Sequence, residues 1–186
     1  MQQGVSRLIV AAFAVGSVLG SAVSAIGEEV YTATLIVPDA TGVGGREAEL
    51  KLTIKEFTSE DEAAELRKLL EDEGSDAVFA KLKTWDRGLA EIQGSASQKI
   101  LHVRVIPGEN GNRVMLVTEG QLYMPDRSQD PRYQNALGFV QLDVGTRGVG
   151  TGVAAAVEGV QLSRSGTLEM RAHMNQQLRL KDVTRQ

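Results

Sequence analysis

The sequence predicts an α+β domain, mainly antiparallel β-sheet curled into a barrel or roll, with one inserted helical hairpin. Three observations predict it. About eight segments read as strands, several of them alternating apolar and polar residues with the two-residue period of a half-buried strand. Clusters rich in Gly, Pro, Asn and Ser separate them. A helical period appears only once, from FTSEDEAAELRKLLEDEG (57–74) to Trp85.

The first two strands are VYTATLIVP (30–38) and REAELKLTIKEF (46–57), joined by the turn-rich DATGVGG. In the second, Ala48, Leu50, Leu52 and Ile54 alternate with Glu47, Glu49, Lys51, Thr53 and Lys55. Ser59 and Glu62 then have capping-box spacing, Glu60 and Asp61 suit the positive helix end, and Gly74 stops the helix. Ala63, Leu66, Leu69 and Leu70 form its apolar stripe. Ser75 is placed to cap a second helix with Val78, Phe79 and Leu82 on one face. An apolar stripe opposite a charged face suits permanent packing on a sheet, so the hairpin 59–85 is expected to plug one end of it rather than act as a mobile lid. From Gly88 the strand pattern returns as GLAEIQG, QKILHVRVIP, RVMLVTEG, LGFVQLDVG, VGTGVAAAVEGVQL and GTLEMRAHMNQQLRLKDV.

At 186 residues the chain suits a single domain. Residues 1–25 have the plan of a signal peptide: Arg7, an apolar run from Leu8, and Val23-Ser24-Ala25 at a cleavage site. The expected mature domain is 26–186, periplasmic or secreted, without stable membrane insertion once the signal is removed. The alternative is an uncleaved anchor from Leu8 to Ile26, weakened by Gly16, Ser17, Gly20, Ser21 and Ser24. No cysteine is present, which excludes disulfides, thiol nucleophiles and cysteine zinc sites. Net charge is −4, and nucleic acid is not an expected partner. Residues 26–98 hold 8 Lys/Arg against 16 Asp/Glu, whereas 99–186 hold 11 against 8, giving an acidic front and a mildly basic back.

The two histidines, His102 and His173, are the available imidazoles, and neither has a metal-ligand neighbour at local spacing, so both read as ordinary strand residues. His102 is expected to share a strand face with Ile100, Arg104 and Ile106. GVGTGVAAA fits G-x-G-x-x-A, but its alternation and Gly159 favour a strand of small residues over a dinucleotide loop. No cofactor or metal site is expected. G-x-S-x-G, S-x-x-K and H-E-x-x-H are missing, and the carboxylates of 60–65 and 71–76 read as a solvated helix face. The candidate binding surface is the loop TEGQLYMPDRSQDPRYQNALGF, where Tyr123, Arg127, Arg132 and Tyr133 supply two rings for stacking and two guanidinium forks for an anion. Asp126 and Asp130 leave open that this loop is structural, its arginines paired internally.

RVMLVTEGQLYMPD, PRYQNALGFVQLDVGTRGVGTGVAAAVEGVQLSRSGTLEMR and LRLKDV together resemble a group of uncharacterised exported bacterial proteins. In these a strand ending Val-Thr-Asp precedes a loop, a Phe-containing strand, a Gly-rich turn and a final Leu-x-x-Val. Glu119 and Gly120-Gln121 depart from that pattern. The resemblance implies export and a single domain, and attaches no activity to them. The expected function is a non-catalytic binding or accessory protein, with a small ligand in the sheet cavity or an envelope partner on the 120–135 loop. The alternative is a hydrolase-like enzyme whose Asp, Glu or His groups are assembled by folding.

Overall fold

The structure, a computed structural model, describes residues 28–38, 45–122, 136–163, 168–172 and 177–186. Among the described residues the elements run β1 (Glu29–Pro38), β2 (Gly45–Ile54), α1 (Glu60–Glu73), α2 (Ser75–Leu82), β3 (Gly88–Ile92), β4 (Gln98–Gly108), β5 (Gly111–Thr118), β6 (Gly138–Gly145), β7 (Val149–Leu162), β8 (Leu168–Ala172) and β9 (Leu178–Arg185). Each strand from β1 to β6 pairs antiparallel with the next, β6 pairs with β7, β7 with β9, and β9 with β1. Eight strands therefore close an up-and-down barrel carrying one helical hairpin, the fold class read from the sequence. β8 stands outside the ring and pairs with the far part of β7, Val157–Leu162. The last sequence segment, read as one strand, is thus two. The second strand ends at Ile54 rather than residue 57, because the chain leaves the ladder there and Thr58 N–H donates to Val103 O at 2.9 Å.

Strand alternation sends Leu35, Leu50, Leu52, Ile54, Ile100, Leu116, Leu142 and Leu180 to the interior, each at most 2% exposed. An eight-stranded ring is just wide enough for such side chains to fill, so its centre is a packed core rather than the ligand cavity expected. The outward positions of β2 carry Glu47, Glu49 and Lys51, the reverse of a lipid-facing barrel.

From Val149 onward the GVGTGVAAA stretch is part of strand β7, as its alternation indicates. A Cβ on Gly150 would lie 1.9 Å from Asp143 O, and one on Gly152 would lie 2.4 Å from Gln141 O. Bare backbone is what lets β7 sit this close to β6. Between Gly150 and Gly152 its pairing with β9 slips, and Asp182 of β9 takes φ 53° there, forming a bulge that tightens the curl.

The helical hairpin builds a second core, on a different surface from the one expected. Ser59 Oγ accepts the Glu62 N–H while Glu62 Oε2 accepts the Ser59 N–H, completing the capping box, and Gly74 ends the helix at φ 88°. Leu66, Val78 and Leu82 are fully buried against Leu101, Val117, Leu137, Phe139, Val157 and Val160. Leu116 and Val140 face the interior, so their neighbours Val117 and Phe139 face outward. The hairpin therefore lies along the outer wall of β4–β7 instead of plugging an open end. Ser75 does not cap α2: Gly74 holds that position, and the Ser75 hydroxyl donates to Val160 O at 3.3 Å, tying the hairpin to β7.

Candidate functional site

The outer wall beneath and beyond the hairpin is laid out in cross-strand rows. His102 faces Val117, Val117 faces Phe139, and Phe139 faces Ala155. One step along, Arg104 faces Met115, Met115 faces Gln141, and Gln141 faces Val153. The first row starts with a histidine because β4 bulges between Ile100 and His102. The extra residue leaves Ile100 in the interior and puts both Leu101 and His102 on the outer side, so His102 does not share its face with Ile100 as strict alternation implies.

The apolar part of this wall is longer than the hairpin that covers it. Past the hairpin it becomes the floor of a groove of about 760 Å³, bounded on one side by β4 and on the other by the β7–β8 arm. Met115, Phe139, Val153 and Ala155 line the floor, Arg104 and Arg113 the β4–β5 side, and Glu158, Glu169 and Arg171 the arm side. Arg113 is engaged by Asp143 at 2.7 Å. Arg104 and Arg171 have no carboxylate partner among the described residues.

His102 forms the hairpin-side end of the groove and is 8% exposed. Its Nδ1 lies 2.9 Å from Thr58 Oγ1, which in turn accepts the Val103 N–H at 3.1 Å. Burial first, then the positive charges of Arg104 and Arg87, push the imidazole down to about 4 against the opposing pull of Glu62. Since the folded value is depressed, stability falls as pH drops from about 6.5 towards 4, where the unfolded chain takes up a proton that the folded chain refuses.

Beside it, the Arg87 guanidinium is buried between Glu56 and Glu62, and it stacks over the Trp85 ring at 4.9 Å. Burial would raise the Glu62 carboxyl, but the Ser59 backbone N–H and Arg87 outweigh it and hold the group below its ordinary value. Glu62 thus leaves the solvated acidic face to which its sequence neighbours belong, and joins the helix start to the barrel. At one barrel end, a polar recess of about 480 Å³ is lined by Tyr31, Asn112 and Arg185 among others. There Tyr31 Oη and Arg185 Nη2 both donate to Glu29 at 2.7 Å. Burial and the neighbouring carboxylate raise the Tyr31 phenol. These groups satisfy one another, so the recess works as a clasp between β1 and β9.

Tyr123, Arg127, Arg132 and Tyr133, the sequence candidates, lie outside the described residues, as do His173 and residues 1–25. Among the described residues no cluster of three or more His, Asp or Glu is placed to hold a metal ion, and no helix is long and apolar enough to cross a membrane. The groove itself escaped the sequence reading, although a signal was present. Val114-Met115-Leu116-Val117 and Val153 to Val157 are unbroken apolar runs, which mark strands covered on both faces. No protein-family model, curated protein or solved structure matches the chain.

Proposed function

We propose that this chain is an exported, non-catalytic binding protein that takes a small, largely apolar ligand in the outer-wall groove. The observation that carries this reading is the continuation of the second core past the hairpin into a concave surface, with Met115 and Val153 only partly covered. Small-molecule sites are mostly apolar concavities with a few placed polar groups, in volumes of roughly 300–1,000 Å³. Met115 adds an adaptable, polarisable surface to such a floor.

The test is titration with N-phenyl-1-naphthylamine, a neutral apolar dye. Its fluorescence is expected to saturate at one equivalent. Val153→Trp, which fills the floor at a half-exposed position, should abolish the signal while leaving the far-ultraviolet dichroism and melting temperature near those of the parent. Absence of saturable binding to the parent chain refutes the reading.

Export is supported by the signal-like plan of residues 1–25 and by the resemblance to exported bacterial proteins. The protein recovered from the envelope or medium is expected to have the mass of a chain starting at Ile26. An N-terminus at Met1 would favour a retained anchor.

A further inference from the structure

We infer that the groove selects ligands with a carboxylate head, which it seats on the β4 side between His102 Nε2 and the Arg104 guanidinium, with the alkyl part lying along Met115 and Val153. This rests on the binding function proposed above and names the chemical class of ligand.

The seat requires the His102 proton on Nε2, with Nδ1 accepting from the Thr58 hydroxyl. Val103 N–H donates to one lone pair of Thr58 Oγ1, and His102 Nδ1 lies 2.9 Å from the same oxygen, a contact that the Thr58 hydroxyl proton can fill. An Nδ1 that accepts requires the proton on Nε2, so the ring offers an N–H donor. No partner for Nε2 occurs among the described residues. Among the described residues the fully buried side-chain nitrogens without partners are Arg87 Nε and Gln121 Nε2, so Nε2 of His102 is not sealed into the core. With Nδ1 turned to Thr58, Nε2 is the ring atom left to the groove that His102 lines.

Arg104 follows two residues along β4 on the same outward side, about 7 Å away at the Cα level given a rise of about 3.3 Å per residue. A carboxylate accepting one hydrogen bond of about 2.9 Å from each donor fits between them. The acids of the groove, Glu158 and Glu169, stand on the opposite, arm side, and the other β4–β5 cation, Arg113, is already occupied by Asp143. The β4 side therefore combines a neutral N–H donor with an unpartnered guanidinium, and the floor beyond them is apolar. That is the complement of an amphipathic anion, since guanidinium hydrogen bonds to carboxylate are charge-assisted and gain strength away from bulk water.

Decanoate and 1-decanol, which share an alkyl chain and differ in the head, separate the possibilities by displacement of the neutral dye. The parent chain is expected to bind decanoate at least tenfold more tightly. Arg104→Gln should bring the ratio of decanoate to decanol affinity, measured in the same variant, from at least tenfold to near one. In long-range proton–nitrogen spectra His102 should carry its proton on Nε2, and decanoate should move that resonance while decanol leaves it in place. Equal affinity for acid and alcohol, a preference that survives in Arg104→Gln, or an unmoved His102 signal overturns the carboxylate seat while leaving the groove as a binding site. Failure of the dye, the acid and the alcohol alike removes the binding function and the seat together.

Discussion

Leu66→Ala is expected to cost about 2–5 kcal/mol, the range for truncating a leucine in a packed core. Leu66 is 0% exposed and sits where α1 meets α2 and the outer wall, so the shortened side chain leaves a void that two helices and a rigid sheet cannot close. Denaturant unfolding reads the loss directly, and hydrogen exchange in the parent chain supplies the independent check. Amides of residues 63–70 should be protected about as well as those of the strands, because the hairpin shares its core with Val117 and Phe139. A loss below about 1 kcal/mol together with fast exchange in α1 would mean that the hairpin opens as a lid without unfolding the barrel.

Arg87→Ala should destabilise by about 3 kcal/mol, the low end of what breaking a buried ion pair costs. The low end applies because Glu56 is 66% exposed and is readily rehydrated, whereas Glu62, at 29%, is not. The stacking of Arg87 on Trp85 is lost as well. The pH dependence gives a second signature. The Glu62 carboxyl is lowered in the folded protein, so its contribution is fully present above its unfolded value near 4.5 and is lost as pH falls through the folded value. The stability gap between parent and variant should therefore be wide at pH 7 and shrink in acid. A gap that stays constant to pH 3 would assign the effect to packing alone.

Local signals in the sequence were sufficient for the elements. The Ser59–Glu62 capping box, the Gly74 stop and the alternation of Leu50, Leu52 and Ile54 each depend on residues within a few positions of one another. Features that depend on distant partners were not legible in this way. The bulge at His102 adds one residue to a ladder, and counting alternate positions along β4 alone cannot detect it. Arg87 and Glu62 are 25 residues apart and meet only because the hairpin lies on the outer wall. The groove was half legible: the apolar runs of β5 and β7 announce two covered faces, but nothing local says that the hairpin covers only part of that surface.

The clasp at the barrel end has a kinetic consequence. β9 lies between β1 and β7, and the Arg185–Glu29 contact spans 156 positions, so the ring closes only when the earliest and latest strands meet. Such closure joins strands distant in sequence, the non-local kind of pairing that slows folding. Until that moment β1 and β7 present open edges able to recruit strands from other molecules. The seam between β1 and β7 therefore stays unlatched until β9, the last strand in the sequence, is in place.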